Sequence, residues 1–147
     1  MATGVNVNKG EVYRDIEQMF GQVPQWIRML PDSALTGFWT VFRDFYLAET
    51  RIPNKYKELI GLGVSAATRC RYCTLFHTEA ARLAGATDEE IAEASLMAGV
   101  TMMGSTFLNG EQTDYDRFRK ETLDIVQFVR RQQANAPRQV QQPHARS

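Results

Sequence analysis

The sequence predicts an all-α fold, and three observations support that class. Apolar residues recur at three- and four-residue spacing along much of the chain, as in helices with one buried face. No stretch alternates apolar and polar residues between hairpin turns, which is the pattern of a half-buried strand. The segment Thr87-Asp88-Glu89-Glu90 has the residue pattern of a capping box, the clearest helix start in the chain. We therefore predict a bundle of about six helices.

The length and composition limit the class of protein. The 147 residues fit one domain, predicted over residues 1–133, and 44% hydrophobic residues are enough for a core. The end, residues 134–147, is rich in Gln, Pro and Arg and is predicted to be a disordered tail. Seventeen basic residues balance seventeen acidic ones, so neither nucleic acid nor an anionic membrane is an expected partner. The first ten residues lack the apolar run of a secretory signal, and we expect a cytoplasmic protein.

Three helices are predicted in the first third of the chain. The first runs from Gly10 to Phe20 and ends at Gly21. A short helix over residues 25–30 follows, and Pro31-Asp32-Ser33 then caps a helix over residues 34–49. That third helix carries an aromatic stripe, which we interpret as core packing rather than a binding site. The stripe consists of Phe38, Trp39, Phe42, Phe45 and Tyr46.

The later helices are predicted from their caps and breakers. A helix over residues 54–68 follows Pro53, and the next starts at Arg69 or Cys70 and ends before Gly85. The capping box opens a helix over residues 88–108, Asn109-Gly110 forms a turn, and Thr113 or Asp114 caps a last helix to about Gln133. The predicted buried positions of the helix over residues 54–68 are Tyr56, Leu59, Ile60 and Val64.

The segment from Ala94 to Gly110 has no charged residue and is apolar or small on every side. Its 17 residues, interrupted by polar ones, are marginal for spanning a bilayer, so no membrane partner is expected. A helix of this kind requires burial all round, which one small domain rarely provides. We expect it in a subunit interface, with burial inside the monomer as the alternative.

Both cysteines and one of the two histidines fall within residues 70–77. On a helix, Cys70, Cys73 and His77 lie at three- and four-residue spacing and share one face. A cysteine in the first turn of a helix is stabilised as the thiolate, and a neutral histidine can remove the proton of a neighbouring thiol. Glu58, on the preceding helix, is a carboxylate that could orient His77.

Two kinds of chemistry are open to this face. In the redox interpretation, which we favour, Cys73 attacks a peroxide bond and Cys70 then condenses with the sulfenic acid to form a disulfide. In the alternative, Cys70, Cys73 and His77 bind a metal in a structural or sensor module, with Glu58 or Glu79 as fourth ligand. No second cysteine pair exists to complete a common structural zinc site, so we expect no metal and no cofactor.

The spacing of these four residues resembles that of a known family. Glu58 stands twelve positions before Cys70, and the CxxC is followed by His77, four positions after Cys73. This pattern resembles the signature of the alkylhydroperoxidase AhpD branch of the carboxymuconolactone decarboxylase superfamily. The resemblance extends over about residues 50 to 100 and includes the junction from Ala84 to Ile91.

The resemblance implies a fold, an activity and residue roles. It implies an all-α fold with the CxxC at the start of a central helix, in homo-oligomers that are trimers, or hexamers built as trimers of dimers. Cys73 would be the peroxidatic cysteine, Cys70 its disulfide partner, and His77 with Glu58 the proton relay. The expected activity is that of a thiol-dependent alkylhydroperoxidase, or of a dithiol–disulfide oxidoreductase, which would need a dithiol or protein reductant. Tyr72 stands where AhpD itself has a further relay histidine.

Another branch of the superfamily gives a further alternative. Its decarboxylases act on an anionic lactone with basic residues and lack the dithiol. A carboxymuconolactone decarboxylase-like enzyme on an unknown substrate is therefore a second alternative, which the CxxC disfavours.

Overall fold

The described part of the chain is helical. The computed structural model describes residues 8–135, and within them it has seven α-helices, one π-helix and no strand. The predicted all-α class is confirmed, and the seven α-helices agree with the predicted bundle of about six. The helices are α1 (Lys9–Phe20), α2 (Gln25–Arg28), α3 (Asp32–Val41), the π-helix (Phe42–Leu47), α4 (Asn54–Ala67), α5 (Arg71–Leu83), α6 (Asp88–Gly110) and α7 (Tyr115–Asn135).

Several helix ends follow the predicted signals. Gly21 and Gly85 adopt left-handed φ angles of 73° and 83° after α1 and α5. The capping box is formed at the start of α6. The Glu90 amide donates to Thr87 Oγ1 at 3.1 Å, and the Thr87 amide donates to Glu90 Oε2 at 2.9 Å. Of the two candidates for the cap of α7, Asp114 accepts the Arg117 amide at 2.7 Å.

Two predicted helix boundaries are wrong. The helix predicted over residues 34–49 begins at Asp32 with no side-chain cap, and after Val41 it continues as the π-helix. The predicted turn at Asn109-Gly110 is instead the last turn of α6, where Asn109 Nδ2 donates to the Ser105 carbonyl one turn earlier. After α6 the chain turns at Gln112, whose φ of 50° is left-handed.

The chain comprises two compact units, one up to Val100 and one from Thr101 onward. The predicted single domain over residues 1–133 stays a prediction. The predicted tail from residue 134 begins with the last two residues of α7, and residues 136–147 lie outside the described part. Residues 1–7 also lie outside the described part.

The core of the first unit joins α1, α2 and α3. The Asp15 carboxylate on α1 accepts from Trp39 Nε1 at 2.6 Å and from Arg43 at 2.8 Å. These bonds, first the one from Trp39 and then the one from Arg43, hold the pKa of Asp15 below its usual value. The buried side chains of this core are Val12, Ile16, Val23, Ile27, Leu35 and Trp39.

Helix α4 packs on α5 through a face that the sequence did not predict. Tyr56, Ile60 and Val64 are more than half exposed, so the prediction that they are buried is wrong. The buried residues of α4 are Glu58, Leu62 and Ser65. Two of these three residues, Glu58 and Ser65, are polar, which explains why an apolar stripe did not reveal this face.

Helices α6 and α7 bury no residue within the described chain. The alternative that residues 94–110 are buried inside the monomer is therefore wrong, while their place in a subunit interface stays a prediction. Helix α6 is also the one helix among residues 8–135 whose length and apolar composition would suffice to cross a membrane, a test that core helices of other proteins pass as well. Helix α7 likewise exposes apolar side chains, among them Phe118, Leu123 and Ile125.

Candidate active site

The two cysteines lie at the start of α5. Cys70 is the N-cap residue, and Cys73 lies in the first turn. The two sulfurs are joined in a disulfide, with the Cα atoms 5.4 Å apart. The Cys73 amide donates to Cys70 Sγ at 3.3 Å, so this sulfur takes the place of the usual N-cap oxygen.

The backbone before the disulfide fixes its position on α4. Arg69 has φ 57°, a left-handed conformation that is uncommon for a residue with a side chain. This residue turns the chain between α4 and α5, and the Cys70 amide then donates to the Ser65 carbonyl at 2.9 Å. The CxxC is thus tied to the last turns of the helix that also carries Glu58.

His77 and Glu58 form the polar contact between these two helices. His77 Nδ1 lies 2.9 Å from Glu58 Oε2. Glu58 is the one charged residue among residues 8–135 that is buried, with 5% of its surface exposed. Because an ionised carboxylate only accepts hydrogen bonds, Nδ1 donates in this contact, and Nε2 of the neutral ring keeps its lone pair. The imidazole is then in the tautomer that a general base needs.

Tyr46 is a third member of this cluster, and the role of its hydroxyl was not predicted from the sequence. The Tyr46 hydroxyl donates to Glu58 Oε2 at 2.6 Å and lies 3.1 Å from His77 Nδ1. Burial, followed by the bond to Glu58, raises the pKa of Tyr46 far above its usual value. The interpretation of Tyr46 as packing alone is therefore wrong. Its sole signal in the sequence was a hydroxyl at the end of a stripe of Phe and Trp.

Gly61 makes room for the imidazole. A Cβ atom at this position would overlap the ring atoms of His77. Glycine is therefore required where α4 passes His77, one turn after Glu58. The sequence did not reveal this requirement, because Gly61 is one of two glycines in the helix predicted over residues 54–68.

The four residues predicted from the sequence thus lie on two packed helices. His77 and Glu58 are in contact, and Cys73 is one helical turn before His77 on α5. The predicted alternative of a metal site does not fit this arrangement. Within residues 8–135, no group of three His, Cys, Asp or Glu side chains is placed to hold a metal ion. Glu79, once a candidate ligand, pairs with Arg82.

Comparison with protein families identifies the chain. The model of the carboxymuconolactone decarboxylase family matches residues 34–109, just over half of the chain. The chain belongs to this family. The match includes the π-helix, α4, α5 and all of the residues of the candidate site.

Two curated relatives are similar to this member of the family. An alkyl hydroperoxide reductase from Mycobacterium tuberculosis is 35% identical over 91 residues, which cover 60% of this chain and 25% of that protein. Uncharacterized protein 4 in the cox locus of Paracoccus denitrificans is 31% identical over 65 residues, 44% of this chain and 59% of that protein. The chain therefore spans about a quarter and about three fifths of the length of these relatives.

Two crystal structures share the fold. The alkylhydroperoxidase AhpD core from Rhodospirillum rubrum superimposes with a TM-score of 0.63 at 28% identity, covering 80% of this chain and 96% of that one. A protein from Methanobacterium thermoautotrophicum superimposes with a TM-score of 0.52 at 32% identity, covering 60% of this chain and 97% of that one. The chain is thus an AhpD-like member of the family, and the resemblance found in the sequence is confirmed. The catalytic roles of the site residues stay predictions.

Proposed function

We propose that this protein is a thiol-dependent hydroperoxide reductase, whose nucleophile is Cys73. The observation that carries the proposal is the contact between Glu58 and His77 one helical turn beyond a CxxC disulfide. A base held by a buried carboxylate beside a dithiol is the arrangement that activates a thiol for attack. The similarity to an alkyl hydroperoxide reductase supports the same class of reaction.

The reaction has two steps. The Cys73 thiolate, formed by proton transfer to His77, attacks the terminal oxygen of the hydroperoxide, so the O–O bond breaks and an alcohol leaves with the proton. Cys73 is then a sulfenic acid. The Cys70 sulfur attacks it, the S–O bond breaks, and water and the Cys70–Cys73 disulfide are the products. Two electrons have passed from the dithiol to the hydroperoxide.

The cycle closes when an external dithiol reduces the disulfide by thiol–disulfide exchange. We infer that a small dithiol or a protein reductant performs this step, since the chain contains no third cysteine. The same exchange run on a partner's disulfide would make the protein a dithiol–disulfide oxidoreductase.

We also propose that the protein works as a homo-oligomer, a trimer or a hexamer built as a trimer of dimers. The support is the exposure of apolar side chains on both long helices, which in monomeric proteins are seldom exposed in such number. On α6 these include Leu96, Met103 and Phe107, and on α7 they include Phe118 and Ile125.

The proposed relay is tested by Glu58→Gln, which keeps the shape of the side chain and removes its charge. We expect the kcat/KM for an organic hydroperoxide, with dithiothreitol as reductant, to fall by about a hundredfold, because His77 loses the anion that orients it and balances its charge. The matched control is Glu79→Gln on α5, whose carboxylate is exposed and pairs with Arg82. Equal activity of the two variants would contradict the relay.

A further inference from the structure

We propose that Tyr46 is a positioning residue for the relay: its hydroxyl holds the Glu58 carboxylate in the orientation that keeps the proton of His77 on Nδ1. This inference rests on the proposed function, because it concerns the same site. It adds a residue from a third element, the π-helix, to the two helices predicted to form the site.

The contacts among three atoms carry the argument. Tyr46 Oη, Glu58 Oε2 and His77 Nδ1 are separated by 2.6 Å, 2.9 Å and 3.1 Å. Two protons are available, one on the hydroxyl and one on Nδ1, and one carboxylate oxygen accepts both. Since the shortest contact joins the hydroxyl to the carboxylate, Tyr46 donates to Glu58. The carboxylate then has no proton to give to Nδ1, and the tautomer of His77 is fixed.

The π-helix holds Tyr46 at this place. π-Helical segments are rare and occur frequently at functional sites. Two side chains of α4 bind the end of this segment. Lys57 Nζ donates to the carbonyls of Phe45 at 2.8 Å and Ala48 at 2.6 Å, and Asn54 Nδ2 donates to the Leu47 carbonyl at 2.8 Å. The helix that carries Glu58 therefore also fixes the segment that carries Tyr46.

The contacts of the Tyr46 ring allow its hydroxyl to be removed without changing the packing. Its ring lies 4.8 Å from that of Phe42 and 6.1 Å from that of Phe76, and it meets the His77 ring edge-on at 5.9 Å. These contacts belong to the ring, and a phenylalanine would keep them. The Tyr46→Phe variant therefore removes the hydroxyl and leaves the packing.

Tyr46 acts as a fixed donor and not as a titrating acid. Burial and the neighbouring carboxylate raise its pKa, so the hydroxyl stays protonated over the range in which an enzyme works. The groups that face Glu58 are His77 from α5 and Tyr46 from the π-helix, while the nearby Lys57 ammonium is bound to backbone carbonyls. Loss of the hydroxyl therefore removes one of the two donors that orient the Glu58 carboxylate.

The test compares Tyr46→Phe with Tyr56→Phe, a control that removes a hydroxyl from a half-exposed tyrosine on α4. For Tyr46→Phe we expect the kcat/KM for cumene hydroperoxide to fall by about tenfold, the effect of losing one hydrogen bond to a charged group. The control should match the wild-type enzyme. Equal kcat/KM values for all three proteins would overturn the inference.

A second measurement does not depend on peroxidase activity. Nitrogen NMR of histidine-labelled, full-length protein reports which ring nitrogen of His77 carries the proton. We expect the proton on Nδ1 alone in the wild type and in Tyr56→Phe, and a mixture of the two tautomers in Tyr46→Phe. If the wild type reduces no hydroperoxide and the mixture still appears, the proposed function fails and the role of Tyr46 stands. The same single tautomer in Tyr46→Phe would contradict that role.

Discussion

Replacing Cys73 by serine is expected to abolish reduction of an organic hydroperoxide. Serine has nearly the shape of cysteine, but its hydroxyl is not ionised near neutral pH and does not form a sulfenic acid or a disulfide. The expected loss is at least about a thousandfold in kcat/KM, to the level of the reductant alone. It is measured as consumption of cumene hydroperoxide with dithiothreitol.

Cys70→Ser is the matched variant, and it should behave differently. The first step remains, so one equivalent of hydroperoxide should convert Cys73 to a sulfenic acid that dimedone traps and mass spectrometry locates. Cys73→Ser should give no trapped adduct on Cys70. The reverse result, with the adduct on Cys70, would contradict the assignment of Cys73 as the nucleophile.

Gly61→Ala is expected to impair the protein strongly, although it replaces no residue that takes part in the chemistry. The added Cβ would overlap the imidazole, so His77 has to move away from Glu58. A displacement of about 1 Å at a catalytic group costs about a hundredfold in rate, and overpacking of this kind costs about 1–3 kcal/mol of stability. Both are measurable, the first from kcat/KM and the second from denaturant unfolding.

Gly63→Ala is the control on the same helix. A Cβ there would meet the Ala94 carbonyl oxygen at 3.8 Å and the Ala98 Cβ at 3.9 Å, both ordinary contacts. Since alanine is favoured over glycine inside a helix by about 1 kcal/mol, this variant should be active and at least as stable as the wild type. Equal behaviour of the two alanine variants would show that close packing of α4 on His77 is not required.

Local patterns predicted part of the site. Cys70, Cys73 and His77 lie within eight residues, and a helical repeat of 3.6 residues is enough to place them along one helix. Glu58 was proposed as a carboxylate on the preceding helix, its spacing matched a family signature, and the structure brings it to His77. The capping box at Thr87 followed from side-chain chemistry over four residues, which explains why it was predicted correctly.

Contacts between distant segments were not predictable in the same way. Tyr46 reaches His77 across 31 positions. In the sequence it continues an aromatic stripe of which Phe38, Trp39 and Phe42 pack on other rings, while the prediction that Phe45 packs is wrong because it is exposed. The change from α3 to the π-helix has no propensity signal of its own. On α4 the apolar residues Tyr56 and Ile60 suggested the buried face, whereas the structure buries the face with Glu58. Two of the three buried residues of that face are polar, and hydrophobic periodicity does not detect them.

The most direct test of the account is a single turnover of the reduced, full-length protein without added reductant. One equivalent of cumene hydroperoxide should yield one equivalent of the alcohol, consume two thiols per chain and leave the Cys70–Cys73 disulfide as the product identified by peptide mass spectrometry. The reaction should be much faster than that of dithiothreitol at the same thiol concentration. Oxidation no faster than that of the free dithiol, or alcohol formed without loss of the two thiols, would contradict a dithiol peroxidase.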